Sequence, residues 1–320
     1  MRDSFIHTLN TLAPQYPNLM LLTGDLGFGV LNDFIARYPR QFLNMGVAEQ
    51  NMSGVAAGLA LEGHIVFTYS IGSFPTLRCL EQIRNDICYH GANVKIVTVG
   101  GGMSYGAVGM SHHATEDLAA LRSLPGMTVL SPGDLWEAAE ATRFLLRQEG
   151  PAYLRLDKSF AQLTARPDEV FEAGRIRTVR EGSDVTLAAT GGILCEALAA
   201  SELLAGSGIS CRVLSVHTIK PLDSETLVAA AIQTHGLVTI EEHTVEGGLG
   251  GAVAEVLMEA GTLPRFFLRM GLRNCFSCEV GSQQYLRKVH GLDAASIAKT
   301  VCAKLEAIPT RNIIWTACSR

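Results

Sequence analysis

The clearest chemical feature of the chain is Glu49, in FLNMGVAEQNMSGVAAGLALEG, where a short strand meets a helix of small residues. A carboxyl in that first turn projects at the sheet edge, where open α/β folds bind ligands, although it also complements the helix dipole and needs no further role. Downstream, SIGSFPTLR supplies Phe74, a flat apolar face, and Arg78, a planar cation suited to a substrate anion or to a salt bridge. VGGGMSYGAVGMSHHATEDL adds His112 and His113. An imidazole there can donate to a developing alkoxide or move its proton.

Other constellations say less. HHxxED, over His112, His113, Glu116 and Asp117, has no zinc spacing. The single CxxC, Cys275 and Cys278 in RNCFSCEV, lacks a second pair and reads as structural. Most other cysteines, such as Cys88 and Cys195, stand in apolar stretches where a thiol behaves as a small hydrophobe. Neither GDLGFG nor GGGMSYG fits a dinucleotide fingerprint. Asp25 in LLTGDLGFGV has the look of a cap or turn aspartate, and Arg155 in PAYLRLD that of a charge at a strand end.

The elements that must position these side chains follow from periodicity. NLMLLTGD, IVFTYS, NVKIVTVG, MTVLSPGD and AYLRLD are apolar runs of strand length, and between them NMSGVAAGLAL, LRCLEQIRNDICYH and LWEAAEATRFLL have helical period. Such alternation predicts a doubly wound parallel sheet covered on both faces. After a polar stretch containing ARPDE and REGSD the pattern resumes with DVTLAAT, CRVLSVH, GLVTIEEH and RFFLRMG as strands, and ILCEALAASELLA, ETLVAAAI, GAVAEVLMEA and ASIAKTVCAKLEA as helices. The chain therefore divides into a first α/β domain over 1–160, a linker over 161–183, a smaller α/β domain over 184–310 and a tail over 311–320.

Composition agrees with an enzyme of this class. Of 320 residues, 48% are hydrophobic and 18% charged, and 32 are glycine, which suits a compact α/β protein. A net charge of −5 without basic runs argues against nucleic acid as a partner. The absence of a signal-like apolar core or a long apolar stretch predicts a cytoplasmic protein that does not engage membranes.

Four segments taken in order, GVAEQNMSGVAAGLALEG, SFPTLRCLEQIRND, GMSHHATEDLAALRSLPGMTVLSPGD and VTIEEHTVEGGLGGAVAEVL, resemble the C-terminal half of the transketolase family. The likeness covers most of residues 10–300. It implies a pyrimidine-binding domain of thiamine-diphosphate type followed by the family's C-terminal domain. Glu49 falls at the glutamate that hydrogen-bonds N1′ of the cofactor's aminopyrimidine, a task that needs a carboxyl able to share a proton. Phe74 falls at the aromatic that stacks on that ring, and Asp25 near the cofactor. His112 matches the histidine facing the reacting carbon, with His113 beside it where glutamine is common. Arg155 matches an arginine that approaches substrate phosphate, and Arg78 is placed to reach a substrate anion. Glu241, Glu242 and His243 fall in a domain that orients and packs subunits, so they are expected in the fold or an interface.

Two departures matter. Where the family carries an acidic pair before the histidine, the chain has Ala107 and Val108, so Val108 is expected to face an apolar, deoxygenated or differently oriented group of the substrate. The GDG motif that holds diphosphate through Mg²⁺ is missing, which implies a separate N-terminal subunit that supplies it and mainly holds the Mg²⁺, in an α2β2 assembly. The expected activity is transfer of a two-carbon ketol unit from a ketose donor to an aldehyde. The alternatives are the β subunit of a 2-oxo-acid dehydrogenase, which shares the fold and the EQI segment, and a non-catalytic scaffold. SHHATEDLA and Arg78 favour transketolase over the first, and joint retention of Glu49, Phe74 and His112 argues against the second.

Overall fold

The computed structural model describes residues 1–163 and 165–307. The tail at 311–320 lies outside them. The first half supplies strands β1 (Leu19–Thr23), β2 (Phe42–Asn44), β3 (Ile65–Ile71), β4 (Val94–Val99), β5 (Thr128–Leu130) and β6 (Ala152–Leu156). Its helices are α1 (Arg2–Leu12), α2 (Asn32–Arg37), α3 (Glu49–Leu61), α4 (Leu80–Gln82), α5 (Asp117–Arg122) and α6 (Leu135–Arg147). Helix α4 runs on into a π-helical stretch, Ile83–Cys88.

The strands of this half pair in parallel in the order β5-β6-β4-β3-β1-β2. Successive side chains of a strand point to opposite faces, and both faces are covered, which explains the continuous apolar runs. Leu19 and Leu21 join Phe5, Leu9, Phe34 and Leu145 under α1, α2 and α6. Met20 and Leu22 join Met52, Ala56, Ile83, Ile87 and Leu118 on the other side.

The second half adds β7 (Arg177–Arg180), β8 (Val185–Thr190), β9 (Cys211–Ser215), β10 (Thr218–Lys220), β11 (Gly236–Thr244) and β12 (Phe266–Leu272). Helices α7 (Leu194–Gly206), α8 (Ser224–Gln233), α9 (Leu249–Glu259), α10 (Gln283–Val289) and α11 (Ala294–Glu306) cover them. The second sheet has the order β12-β11-β8-β9-β7, with β7 antiparallel at its edge. Part of the stretch read as a linker is therefore a strand. Four half-buried residues, Arg177–Arg180, carry too little apolar pattern to announce it.

The two halves are stitched together. Strand β10, between β9 and α8 in sequence, leaves the second sheet and pairs antiparallel with β5, closing the edge of the first. The core face under α3 and α5 also continues into Leu214, Leu227, Leu249 and Val253 of the second half. No helix of the described residues is long and apolar enough to cross a membrane.

Candidate active site

The residues singled out in the sequence converge at the carboxyl ends of the first sheet. Strand β2 ends at Asn44 and the chain turns into α3, whose first residue is Glu49. Strand β3 runs out into the turn carrying Phe74, and β4 into the loop carrying His112. Parallel strands place all these exits on one edge, which is why separate loops can share a site. The β4 loop is pinched at its neck, where Gly102 and Ala114 exchange backbone hydrogen bonds of 2.8 and 2.9 Å. Ser73 Oγ donates to Ser111 O at 3.1 Å, tying that loop to the β3 turn. At the start of the loop only glycine serves at position 100, because φ is +95° and a side chain would strike the Tyr105 ring.

Glu49 is 2% exposed, and its Oε2 accepts from Arg78 Nη1 at 2.7 Å. The Arg78 guanidinium also lies over the Phe74 ring, with Cζ 4.5 Å from the centroid. Phe74 also meets His112 in an edge contact, ring centroids 5.2 Å apart at 64°. His112 Nδ1 is 3.0 Å from Ser111 Oγ. One contact chain therefore runs from Glu49 through Arg78 and Phe74 to His112. A buried carboxyl, a flat ring and an imidazole in this order can hold a planar heterocycle by edge and face and present a proton donor beside it.

The remaining candidates are placed differently. His113 turns inward and is buried; burial pushes its imidazole below the ordinary range, and Nε2 has no hydrogen-bond partner among the described residues. Val108 is 53% exposed on the β4 loop, beside the exposed Met110. Asp25 is exposed and adopts φ of 55°. It is locked to Asn44, which donates from Nδ2 to Asp25 Oδ1 at 2.9 Å and accepts from the Asp25 backbone N–H at 3.1 Å.

Arg155 lies deeper than a surface charge at a strand end. It is 0% exposed and pairs with Asp117, Nε to Oδ2 3.0 Å. Nη2 donates to the carbonyls of Ala114 (3.0 Å) and Glu242 (2.9 Å). Burial opposes its charge, but Asp117 and Asp157 outweigh burial and hold its pKa above the ordinary value. The guanidinium thus joins the two halves, while its Nη1 has no hydrogen-bond partner among the described residues.

The glutamates of VTIEEH lie in the same seam. Glu242 accepts from the backbone N–H of Met103 at 2.5 Å, from Gln283 Nε2 and from Arg287 Nε at 2.6 Å. Glu241 accepts from the N–H groups of Leu249 and Gly250 at the start of α9, and burial pushes its carboxyl up to about 7. His243 is held near 4 by burial; Nδ1–H donates to Thr244 O at 2.7 Å and Nε2 accepts from Ala119 N–H at 3.3 Å. The partners of Glu242 and the Ala119 N–H that His243 meets lie far away in sequence, so no local signal announces them.

Cys275 and Cys278 are exposed and free, so the reading of cysteines as small core hydrophobes does not extend to this pair. Cys79 and Cys211 are buried as that reading expects. Among the described residues no group of three or more His, Cys, Asp or Glu side chains is gathered for a metal ion.

Comparison with known proteins bears on the family of the chain. The pyrimidine-binding domain of transketolases matches residues 1–162, and the transketolase C-terminal domain matches residues 174–297. A 6-deoxy-6-sulfo-D-fructose transketolase subunit of Clostridium sp. is 39% identical over 300 residues, covering 93% of this chain and 92% of that protein. An apulose-4-phosphate transketolase subunit of Phocaeicola vulgatus is 36% identical over 301 residues, covering 93% and 95% respectively. A solved structure described as the inactive beta4 tetramer of a split-gene transketolase superposes with a TM-score of 0.84 at 38% identity, covering 96% of this chain and 98% of that one. Two domain matches in the family's order, relatives aligned over nearly their whole length and a shared fold together place this chain in the transketolase family.

Proposed function

We propose that this chain is the C-terminal subunit of a two-subunit, thiamine-diphosphate-dependent transketolase that moves a two-carbon ketol unit from a ketose to an aldehyde. The observation that carries the reading is the single contact chain from Glu49 through Arg78 and Phe74 to His112 at the carboxyl edge of the first sheet. These residues fit the pyrimidine end of the cofactor: a buried carboxyl suits the ring edge and an aromatic side chain its face.

When bound, thiamine diphosphate supplies the carbon nucleophile that accepts the ketol unit. Glu49 would hold the ring edge by sharing a proton with N1′, and its buried surroundings would keep water from competing for that bond. His112, with Nδ1 engaged by Ser111, offers Nε2 to a substrate oxygen as negative charge develops there. His113, Val108 and Arg78 line the substrate side, and Asp25 with Asn44 borders the cofactor. We take the two domains as 1–160 and 184–310, with β7 of the second sheet lying in the stretch between them.

Diphosphate and Mg²⁺ belong, in this reading, to an N-terminal subunit carrying the GDG motif, because Mg²⁺ needs oxygen ligands and diphosphate together and the sequence offers no such motif. An α2β2 assembly completes two sites. The seven described cysteines are free, which suits a reducing compartment, and we place the complex in the cytoplasm.

The experiment combines the chain with its GDG-bearing partner, cofactor and Mg²⁺ on a panel of ketoses and aldoses. Ketol transfer is expected only from the pair. Turnover of a 2-oxo acid with a lipoyl-domain acceptor, and not of ketoses, would move the chain to the dehydrogenase class. A pair that binds no cofactor would mark it as a scaffold.

A further inference from the structure

Glu49 and Phe74 would engage the aminopyrimidine by its edge and by its face, and in this structure a single side chain takes both contacts. Arg78 donates from Nη1 to Glu49 Oε2 at 2.7 Å while its Cζ lies 4.5 Å from the centre of the Phe74 ring. A guanidinium can do this because it is planar, carries N–H groups along its edge and stacks on aromatic faces. An aminopyrimidine is likewise flat, and with a proton on N1′ it offers an N–H to the same carboxyl.

The exposures of the two partners differ in a useful way. Glu49 is 2% exposed, so its charge needs a close cation or donor, whereas the Arg78 side chain is 45% exposed and can turn into water without rebuilding the core. We propose that Arg78 is a displaceable plug: it satisfies Glu49 and covers Phe74 while the pyrimidine position is open, and swings outward when the aminopyrimidine takes over both contacts. The proposal rests on the reading above that this site takes thiamine diphosphate. It adds that the chain holds a closed form that lowers apparent cofactor affinity by the fraction of molecules left open. It also frees a cation at the mouth of the loaded site.

The test is calorimetric binding of thiamine diphosphate with Mg²⁺ to the complex of this chain and its GDG-bearing partner, alongside thermal melting of the chain alone. In Arg78→Ala the complex should bind cofactor more tightly, by about tenfold if the closed form makes up about nine-tenths of molecules. The chain alone should melt at a lower temperature, because Glu49 has lost its partner. Arg78→Lys keeps the charge without the flat face and should fall between wild type and Arg78→Ala, which keeps the test open if the alanine variant folds poorly. A merely structural arginine would lower the melting temperature without tightening binding. Equal or weaker binding by both Arg78 variants, with Phe74→Ala weaker than wild type, would overturn the plug and leave the cofactor reading standing. If the wild-type complex binds no cofactor, or Phe74→Ala binds as wild type does, the cofactor reading fails and the plug with it.

Discussion

The Asp117 carboxyl meets the Arg155 guanidinium at 3.0 Å, and neither side chain is exposed. Tyr153 also donates its hydroxyl to the same oxygen of Asp117, and Arg155 reaches across the seam to the Glu242 carbonyl. A charge buried this way is tolerated only with its partner in place. Asp117→Ala is expected to cost about 3–5 kcal/mol, because Arg155 loses its ion-pair partner and keeps only the more distant charge of Asp157 and Glu242, and the double variant Asp117→Ala, Arg155→Met should recover much of that loss. Urea denaturation checks both. A double variant no more stable than the single would show that the pair is not the dominant partner of either residue.

The seam should also shape the dependence of stability on pH. His243 titrates near 4 in the folded chain, chiefly through burial, against about 6.5 unfolded. The unfolded chain therefore binds more protons between those values, so its contribution is complete above about 6.5 and is lost as pH falls toward 4. Glu241, pushed up to about 7 by burial, acts in the opposite sense: its contribution is present at low pH and is lost as pH rises through about 7. The two groups act in opposite directions over the same window, about pH 4 to 7, so melting temperature there should rise less with pH in His243→Gln and more in Glu241→Gln than in the unchanged chain.

Glu49→Gln in the reconstituted pair should fold and assemble as wild type does, since an amide can still accept from Arg78. It should slow hydrogen–deuterium exchange at the cofactor's C2 by about 10²-fold or more, because an amide cannot share a proton with N1′. Undiminished exchange would remove Glu49 from the mechanism.

Val108 stands where relatives of the family are expected to offer an acidic group to a substrate hydroxyl. A hydroxyl buried against it would lose about 1–3 kcal/mol, but at 53% exposure water still reaches the position in this chain. Val108→Asp should therefore raise the preference for a hydroxylated over a deoxy aldehyde, by less than about tenfold in kcat/KM. If wild type already prefers the hydroxylated compound and the aspartate adds nothing, Val108 only lines the wall.

Residue order alone determined a great deal here. Apolar runs of strand length alternating with helical period marked nine of the twelve strands among the described residues, because a sheet covered on both faces needs apolar residues in succession. The types and order of Glu49, Phe74, Arg78 and His112 marked the site proposed here, and each follows the carboxyl end of a strand, where parallel strands gather such ends on one edge. Strands β7 and β10 were silent. They span four and three residues, too few for a period, and β10 acquires its identity only by pairing with β5, nearly ninety positions earlier. Tertiary structure also decided what each charge does: Arg155 became a buried tie because Asp117 and Glu242 arrive beside it from other elements, and Arg78 became the partner of Glu49 because the β3 turn folds over α3. Periodicity reports which way a residue faces, whereas the partner it meets depends on segments that sequence places far apart.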